Sequence, residues 1–388
     1  MNSSLQNISI VSLHYGFSLG GVAQYAVLLE KAGAQGPLNI KTLVLTKPSR
    51  FVDRKTLAKL NSYEIAIANF PRFKWIKDAI SYVESQKPVA IMAHGFNGYV
   101  IAVILNLVME KKLPILCSYH GSYHAPSYKK KLHEKIYNFI AEDIILKRHA
   151  ASIVTVCNFS KKFLSAKGVP AERITVIHNG IPVERGYVRE RRAFRSELGF
   201  DDSHILVGVI SRIDEVKGIK YLLAAFNEIV LQNEHIRLVV VGSGVLEAEL
   251  IKYVCENGLD EKVIFMGYRS DVENFLEALD VYALPSLAEY HSIALLEAMR
   301  GGCAIVATDV GGNTESVRDK IEGLIVQPRD SRALADAIRV MASSLDERRL
   351  YGEAARKRFL ELFTDDIMIT KTARWLEKSI KGDKLDAA

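Results

Sequence analysis

Two carboxylates, Glu289 and Glu297, bracket the stretch Glu-Tyr-His-Ser-Ile-Ala-Leu-Leu-Glu, and the residues between them carry no formal charge apart from titratable His291. Burying an apolar stretch requires no glutamate at either end. The pair fits three roles: a solvated helix edge, two catalytic acids spaced as in a glycosidase, or a clamp on a ligand. Leu284-Pro285-Ser286 closes an apolar run, which places Glu289 in the following loop and starts a helix near Ser292. The first N–H groups of such a helix, on Ser292, Ile293 and Ala294, have no intrahelical acceptor and point at any bound anion. Glu297 then falls one to two turns inside the helix.

Other residues of comparable chemistry stand where apolar runs end. In Ser211-Arg212-Ile213-Asp214-Glu215-Val216-Lys217-Gly218, two cations bracket a short loop before a helical pattern. Arginine offers a planar fork and lysine a point charge, a pairing suited to a diphosphate; the plain alternative is two surface cations. Leu19-Gly20-Gly21-Val22 is a strand-to-helix turn whose backbone N–H groups can approach a phosphate, or simply a tight turn. Its spacing is not that of a dinucleotide fingerprint. Gly242 and Gly244 end one run, and Gly267-Tyr268-Arg269 ends the next. His120 follows Tyr119 at a strand end, where a histidine is either structural or chemical. Asn158 and Asn179 also end strands and either bind ligand or shape turns.

These residues need elements to position them. Short apolar runs at 8–13, 40–45, 89–93, 115–118, 153–156 and 174–177 read as buried parallel strands, with amphipathic stretches between most of them. The pattern resumes at 205–210, 238–241, 263–266, 281–284, 304–307 and 324–326. Repeated strand–helix units imply α/β architecture with two doubly wound, Rossmann-like sheets. The turn signal Asn179-Gly180-Ile181-Pro182 and a charged stretch without strand pattern mark the break. The expected domains are 1–180, 181–365 and a C-terminal helix, 366–388, reaching back to the first domain.

The 388 residues suit two domains, and a composition 49% hydrophobic and 25% charged argues against disorder. The longest apolar run, 99–109, is too short to span a bilayer, which takes about 20 residues. No basic region followed by an apolar core opens the chain, so no secretory signal is expected. Four scattered cysteines without a Cys-x-x-Cys pair fit free thiols in a reducing cytoplasm. The net charge of +6 is uneven: +13 over residues 1–190 and −7 over 191–388. The basic half suits anionic lipid, nucleic acid or an anionic substrate. Residues 128–149 combine Lys129, Lys130, Lys131, Lys135, Lys147 and Arg148 with Leu132, Ile136, Phe139, Ile140, Ile144 and Ile145. That pattern suits a helix lying on an anionic membrane, or a core-packing helix with a basic outer face.

Over essentially its whole length the chain resembles the retaining GT-B glycosyltransferases of family 4, which use nucleotide-diphosphate sugars. The resemblance rests on Glu289-x7-Glu297 after Leu284-Pro285-Ser286, on Ser211-Arg212 with Lys217-Gly218, on Ile177-His178-Asn179-Gly180-Ile181, and on Ala307-Thr308-Asp309-Val310-Gly311-Gly312, in the family's order. It implies two Rossmann-like domains facing across a cleft, with the C-terminal helix returning to the first. It implies that Arg212 and Lys217 bind the donor diphosphate and that the N–H groups of Ser292, Ile293 and Ala294 hold its distal phosphate or sugar. Glu289 would contact the transferred sugar, Glu297 the ribose, and backbone around Tyr268 the base, with Gly242 and His291 also on the donor side. Gly20 and Gly21 would lie near donor phosphate and acceptor. His120 would meet the transferred sugar and help at the reaction centre, Asn158 and Asn179 joining it on the acceptor side. The chain departs from the family's pattern at Tyr290, His291 and Ser292, which alters the sugar pocket.

The implied reaction moves a sugar from a UDP- or GDP-sugar to an acceptor hydroxyl with retention. It needs no metal or other cofactor, since no Asp-x-Asp motif occurs and protein cations serve the leaving group. The expected acceptor is a lipid-linked glycan or lipopolysaccharide, handled by a cytoplasmic enzyme peripheral to the inner membrane face, without nucleic acid. A sugar-nucleotide epimerase on the same scaffold and a non-catalytic nucleotide-sugar binder are the competing readings.

Overall fold

The computed structural model describes residues 8–15, 21–34, 38–46, 58–60, 62–66, 74–121, 136 and 138–381. Gly20 and Lys129, Lys130, Lys131 and Lys135 lie outside the described residues. By its contacts the chain divides into two compact units, the first running to His178 and resuming at Asp366, the second spanning Asn179–Asp365.

Among the described residues the first unit is built on seven strands: β1 (Ile8–Tyr15), β2 (Leu38–Thr46), β3 (Ser62–Ala66), β4 (Ala90–His94), β5 (Ile115–Tyr119), β6 (Ala150–Thr155) and β7 (Ile174–Val176). They lie in the order β3-β2-β1-β4-β5-β6-β7 and all pair in parallel. Every residue of β4 and β5 is buried, which explains their uninterrupted apolar character. β3 is absent from the sequence expectation. Its Ser-Tyr-Glu-Ile-Ala segment sits at the sheet edge with Tyr63 half exposed, so it carries no continuous apolar run. Helices Gly21–Ala34, Lys74–Ser85 and Gly95–Val108 follow β1, β3 and β4.

The 128–149 stretch, expected as one amphipathic helix, is described chiefly from residue 138, where Phe139–Leu146 is π-helical. Ile136 and Phe139 are exposed, whereas Ala141, Ile145 and Leu146 are buried. Glu142 is fully buried there, accepting from Tyr119 Oη at 3.0 Å and paired with Lys167 Nζ at 2.7 Å. The C-terminal helix, Asp365–Lys381, places Met368, Trp375 and Leu376 in a cluster with Ile10, Tyr25, Met92 and Val154. Trp375 Nε1 donates to Ser152 Oγ at 2.9 Å, so the burial of this large ring does not strand its N–H.

The second unit has six parallel strands: β8 (Ile205–Ile210), β9 (Ile236–Val241), β10 (Val263–Phe265), β11 (Val281–Leu284), β12 (Ala304–Thr308) and β13 (Leu324–Val326). Their order, β10-β9-β8-β11-β12-β13, is that of a Rossmann sheet, with the order reversing between β8 and β11. Core residues lie on both faces: Val207, Val209, Leu222 and Phe226 on one side, Leu206, Tyr282, Leu296 and Met299 on the other. Among the described residues no helix is long and apolar enough to cross a membrane.

Candidate active site

In open α/β sheets ligands bind beyond the carboxyl ends of the strands, where the strand order reverses. In the second unit that place lies after β8 and β11, the two strands that carry the sequence candidates.

After β8, Asp214 accepts from the backbone N–H of Lys217 and caps a single 3-10 turn, Glu215–Lys217. Gly218 then adopts φ 64°, and a Cβ there would overlap the Pro285 carbonyl oxygen. This position therefore demands glycine, and the close approach seats the β8 loop against the β11 loop. Lys217 Nζ consequently reaches Glu289 Oε1 at 2.6 Å, both side chains being largely enclosed. Ser286 Oγ donates to the same oxygen at 2.7 Å. Oε2 accepts no hydrogen bond from the described residues. Gly311, at φ 55°, packs so closely that a Cβ would strike the Glu289 carbonyl oxygen, which fixes the loop from the other side. Arg212 is different: its side chain is 76% exposed and, among the described residues, paired only with Asp214, at 3.1 Å, so it can turn toward a ligand.

The helix after this loop runs Ile293–Gly301, one residue beyond the expected start. Ser292 is its N-cap, its hydroxyl accepting from Leu295 N–H at 3.3 Å, and Gly302 closes it in the left-handed conformation. The N–H groups of Ile293 and Ala294 remain without intrahelical acceptors. His291 is buried, its Nε2 at 3.2 Å from Ser316 Oγ and its ring against Phe363, so the side chain braces the helix start from the protein side. The His291 carbonyl accepts from Asn179 Nδ2 at 2.8 Å, and Asn179 thereby shapes this same loop. Glu297 lies one turn in, partly buried, and its pKa is pushed up to about 7 by burial, which the nearby Arg300 only partly offsets. Gly242 ends β9 and donates to the Gly267 carbonyl at 2.8 Å; the adjoining Tyr268 is 72% exposed. Arg212, Lys217, Glu289 and the helix start thus adjoin one another at the strand-order reversal, with Gly242 and Tyr268 on its β9–β10 flank.

In the first unit, Gly21 opens the helix after β1, and Asn158 opens the exposed start of the Asn158–Ala166 helix. His120 immediately follows β5 and is half-buried. Its Nε2 is enclosed without a hydrogen-bond partner among the described residues. Burial pushes its pKa down to about 4, so the ring is neutral near pH 7.

Two family models cover most of the chain: Glycosyltransferase Family 4 matches residues 19–185 and Glycosyl transferases group 1 matches residues 190–358. The chain belongs to the GT-B glycosyltransferases of family 4. This glycosyltransferase is 24% identical over 381 residues to the O-antigen chain mannosyltransferase C of Escherichia coli, covering 93% of the chain and 95% of that enzyme. It is 26% identical over 230 residues to an uncharacterized glycosyltransferase of Methanocaldococcus jannaschii, covering 58% of the chain and 59% of that protein. The match therefore spans somewhat more than half the length of that relative. Among solved structures it resembles Anabaena HepE in complex with UDP, with TM-score 0.82, 20% identity, and 96% and 100% of the two chains covered. At that identity the likeness establishes the fold.

Three residues that the sequence did not single out as site residues brace this loop cluster. Ser286 orients Glu289, Asp214 holds both Arg212 and the Lys217 turn, and Thr308 Oγ1 donates to the Ser286 carbonyl at 2.6 Å. Each is a short polar residue beside an identified one, and only the close approach of the β8, β11 and β12 loops assigns it a partner.

Proposed function

We propose that this glycosyltransferase moves a sugar from a nucleoside diphosphate sugar to a hydroxyl of a cell-surface glycan acceptor, retaining the anomeric configuration. The observation that carries the reading is the Lys217–Glu289–Ser286 cluster at the strand-order reversal, beside Arg212 and the start of the Ile293–Gly301 helix. A departing diphosphate gathers negative charge. Lys217, exposed Arg212 and the helix N–H groups supply positive charge for it, which favours the transition state over the ground state. Because those charges come from the protein, the reaction proceeds without a metal.

The carboxylate of Glu289 is set to accept from hydroxyls of the transferred sugar through Oε2, while Oε1 is held by Lys217 and Ser286. Glu297 meets the ribose hydroxyls from within the helix. The family resemblance gives His120, whose imidazole is neutral, a role with the transferred sugar on the acceptor side. The bond between the anomeric carbon and the phosphate oxygen breaks, the acceptor oxygen forms its bond on the same face, and the acceptor proton passes to the departing phosphate.

HepE was crystallised with UDP and with UDP-glucose, which supports a uridine nucleotide as donor, whereas the mannosyltransferase relative supports a hexose destined for O-antigen. The latter, with the +13 charge of residues 1–190 and the exposed Ile136 and Phe139, favours a lipid-linked acceptor at an anionic membrane surface. The deciding experiment is a thermal-shift panel of UDP- and GDP-sugars, followed by nucleotide-release assays with and without acceptor glycans. Acceptor-dependent release with a retained linkage supports the reading. Conversion of the sugar nucleotide without acceptor would indicate an epimerase, and binding without turnover a non-catalytic binder.

A further inference from the structure

The first unit has its own strand-order reversal, between β1 and β4. A histidine stands near the end of each strand around it: His14 on β1, His94 on β4, and His120 just after β5. They form one constellation. Ser12 Oγ lies 3.0 Å from His14 Nε2 and 2.9 Å from His94 Nε2, and His94 Nδ1 lies 2.6 Å from Ser118 Oγ. The His14 and His94 rings stack at 4.1 Å with an interplanar angle of 11°. The Tyr25 ring stands edge-on to His94 at 5.7 Å and to His120 at 4.7 Å, bridging the two. Ser12, His14, His94, Ser118 and Tyr25 are all buried.

We infer that His94, bonded to Ser12 and Ser118 and stacked on His14, is a positioning residue that sets the orientation of Tyr25 and, through it, of His120. The inference rests on the reading of His120 as the group that meets the transferred sugar. A neutral imidazole donates from one nitrogen and accepts at the other. The hydrogen bonds are satisfied when Ser118 donates to His94, His94 to Ser12 and Ser12 to His14, and equally when every proton is reversed. Breaking one link strands buried polar atoms on both sides of it, so the arrangement holds as a unit. Its alignment fixes the ring plane of His94, against which Tyr25 packs edge-on. Tyr25 in turn leaves His120 little room to rotate.

Burial keeps all three imidazoles neutral, and His14 and His120 each oppose a proton on His94. Among the described residues, the other titratable groups around them are Tyr25 on its helix, Cys117 on β5 and Tyr99 on the Gly95–Val108 helix, whose hydroxyl donates to the Ser118 carbonyl. None is charged near pH 7.

The test uses the full chain with 15N-labelled histidine and the donor selected by the panel above. In the wild type, the His14 and His94 imidazoles should remain neutral from pH 8 to pH 5.5. Titration of either ring near 6.5 would overturn the network. His94→Phe should move the His120 imidazole resonances and lower kcat at least about tenfold while donor KM stays within about threefold; His94→Gln, which restores a donor and an acceptor, should recover most of the loss. In a His120→Ala background, His94→Phe should have no further effect on kcat. An equal loss in both backgrounds, or unmoved His120 resonances, would refute action through His120. If His120→Ala alone leaves turnover intact, the reading of His120 fails, while the imidazole spectra still decide whether His94 positions it.

Discussion

Substituting Glu297 by glutamine separates what this residue costs the fold from what it gives the site. Glutamine keeps the size and removes the charge. Burial lifts the Glu297 carboxyl from its ordinary 4.5 to about 7. The folded protein therefore holds a proton that the unfolded chain has already released, and stability is lost as pH rises from about 4.5 through about 7. Integrated over that window, the ionised side chain costs roughly 3 kcal/mol, with about 1 kcal/mol of it already incurred by pH 5.5. Glu297→Gln should accordingly stabilise the ligand-free protein more at pH 8.5 than at pH 5.5. A difference of about 2 kcal/mol corresponds to roughly 4–8 °C in the melting of a domain of this size. The same substitution should weaken UDP or GDP binding at least about tenfold, an instance of a site residue held at the expense of stability. Thermal melts at the two pH values, with calorimetric titration of nucleotide, read both effects. A stability difference that does not change with pH would show that Glu297 ionises normally and that the buried-carboxylate reasoning is wrong.

Glu289→Gln should lower kcat by about a hundredfold with nucleotide affinity within about threefold, since the proposed function gives Glu289 the transferred sugar and not the nucleotide; equal and mild effects from Glu289 and Glu297 variants would count against the division of labour. The buried imidazoles predict acid sensitivity. Their folded pKa values lie below the ordinary 6.5, so the stability they support is present above about pH 6.5 and lost as pH falls. The slope is about 1.4 kcal/mol per pH unit for each fully buried imidazole. Denaturant midpoints between pH 7 and 5.5, measured in Glu297→Gln to remove its opposite trend, should fall; a flat profile would contradict the burial. Turnover should persist in EDTA, and loss restored by magnesium or manganese would contradict a leaving group served by protein cations alone. Vesicles containing anionic lipid should retain the protein at low salt and release it at high salt, whereas indifference at low salt would remove membrane attachment from the reading.

The sequence by itself determined the strand positions, because strands covered on both faces must be apolar throughout. Among the described residues, twelve of the thirteen strands read as apolar runs, and the exception, β3, lies at a sheet edge. It also marked the site residues that depend on local grammar. A helix start was legible near Ser292, and the structure makes that residue the N-cap. Arg212, Lys217 and Glu289 read as charges in loops beyond strand ends, and Glu297 as a charge inside the helix that follows.

Tertiary structure decided which of these touch. Lys217 and Glu289 are far apart in the chain, and they meet because β8 and β11 are neighbours at the strand-order reversal. Burial decided the titration of Glu297, which no count of nearby charges reveals. The His14–Ser12–His94–Ser118 chain was illegible for the same reason. Its members sit on three strands separated in sequence, and an isolated strand-end histidine looks like any other until the sheet order places them side by side. Local chemistry is written along the chain, but hydrogen bonds and desolvation depend on distances that only folding sets.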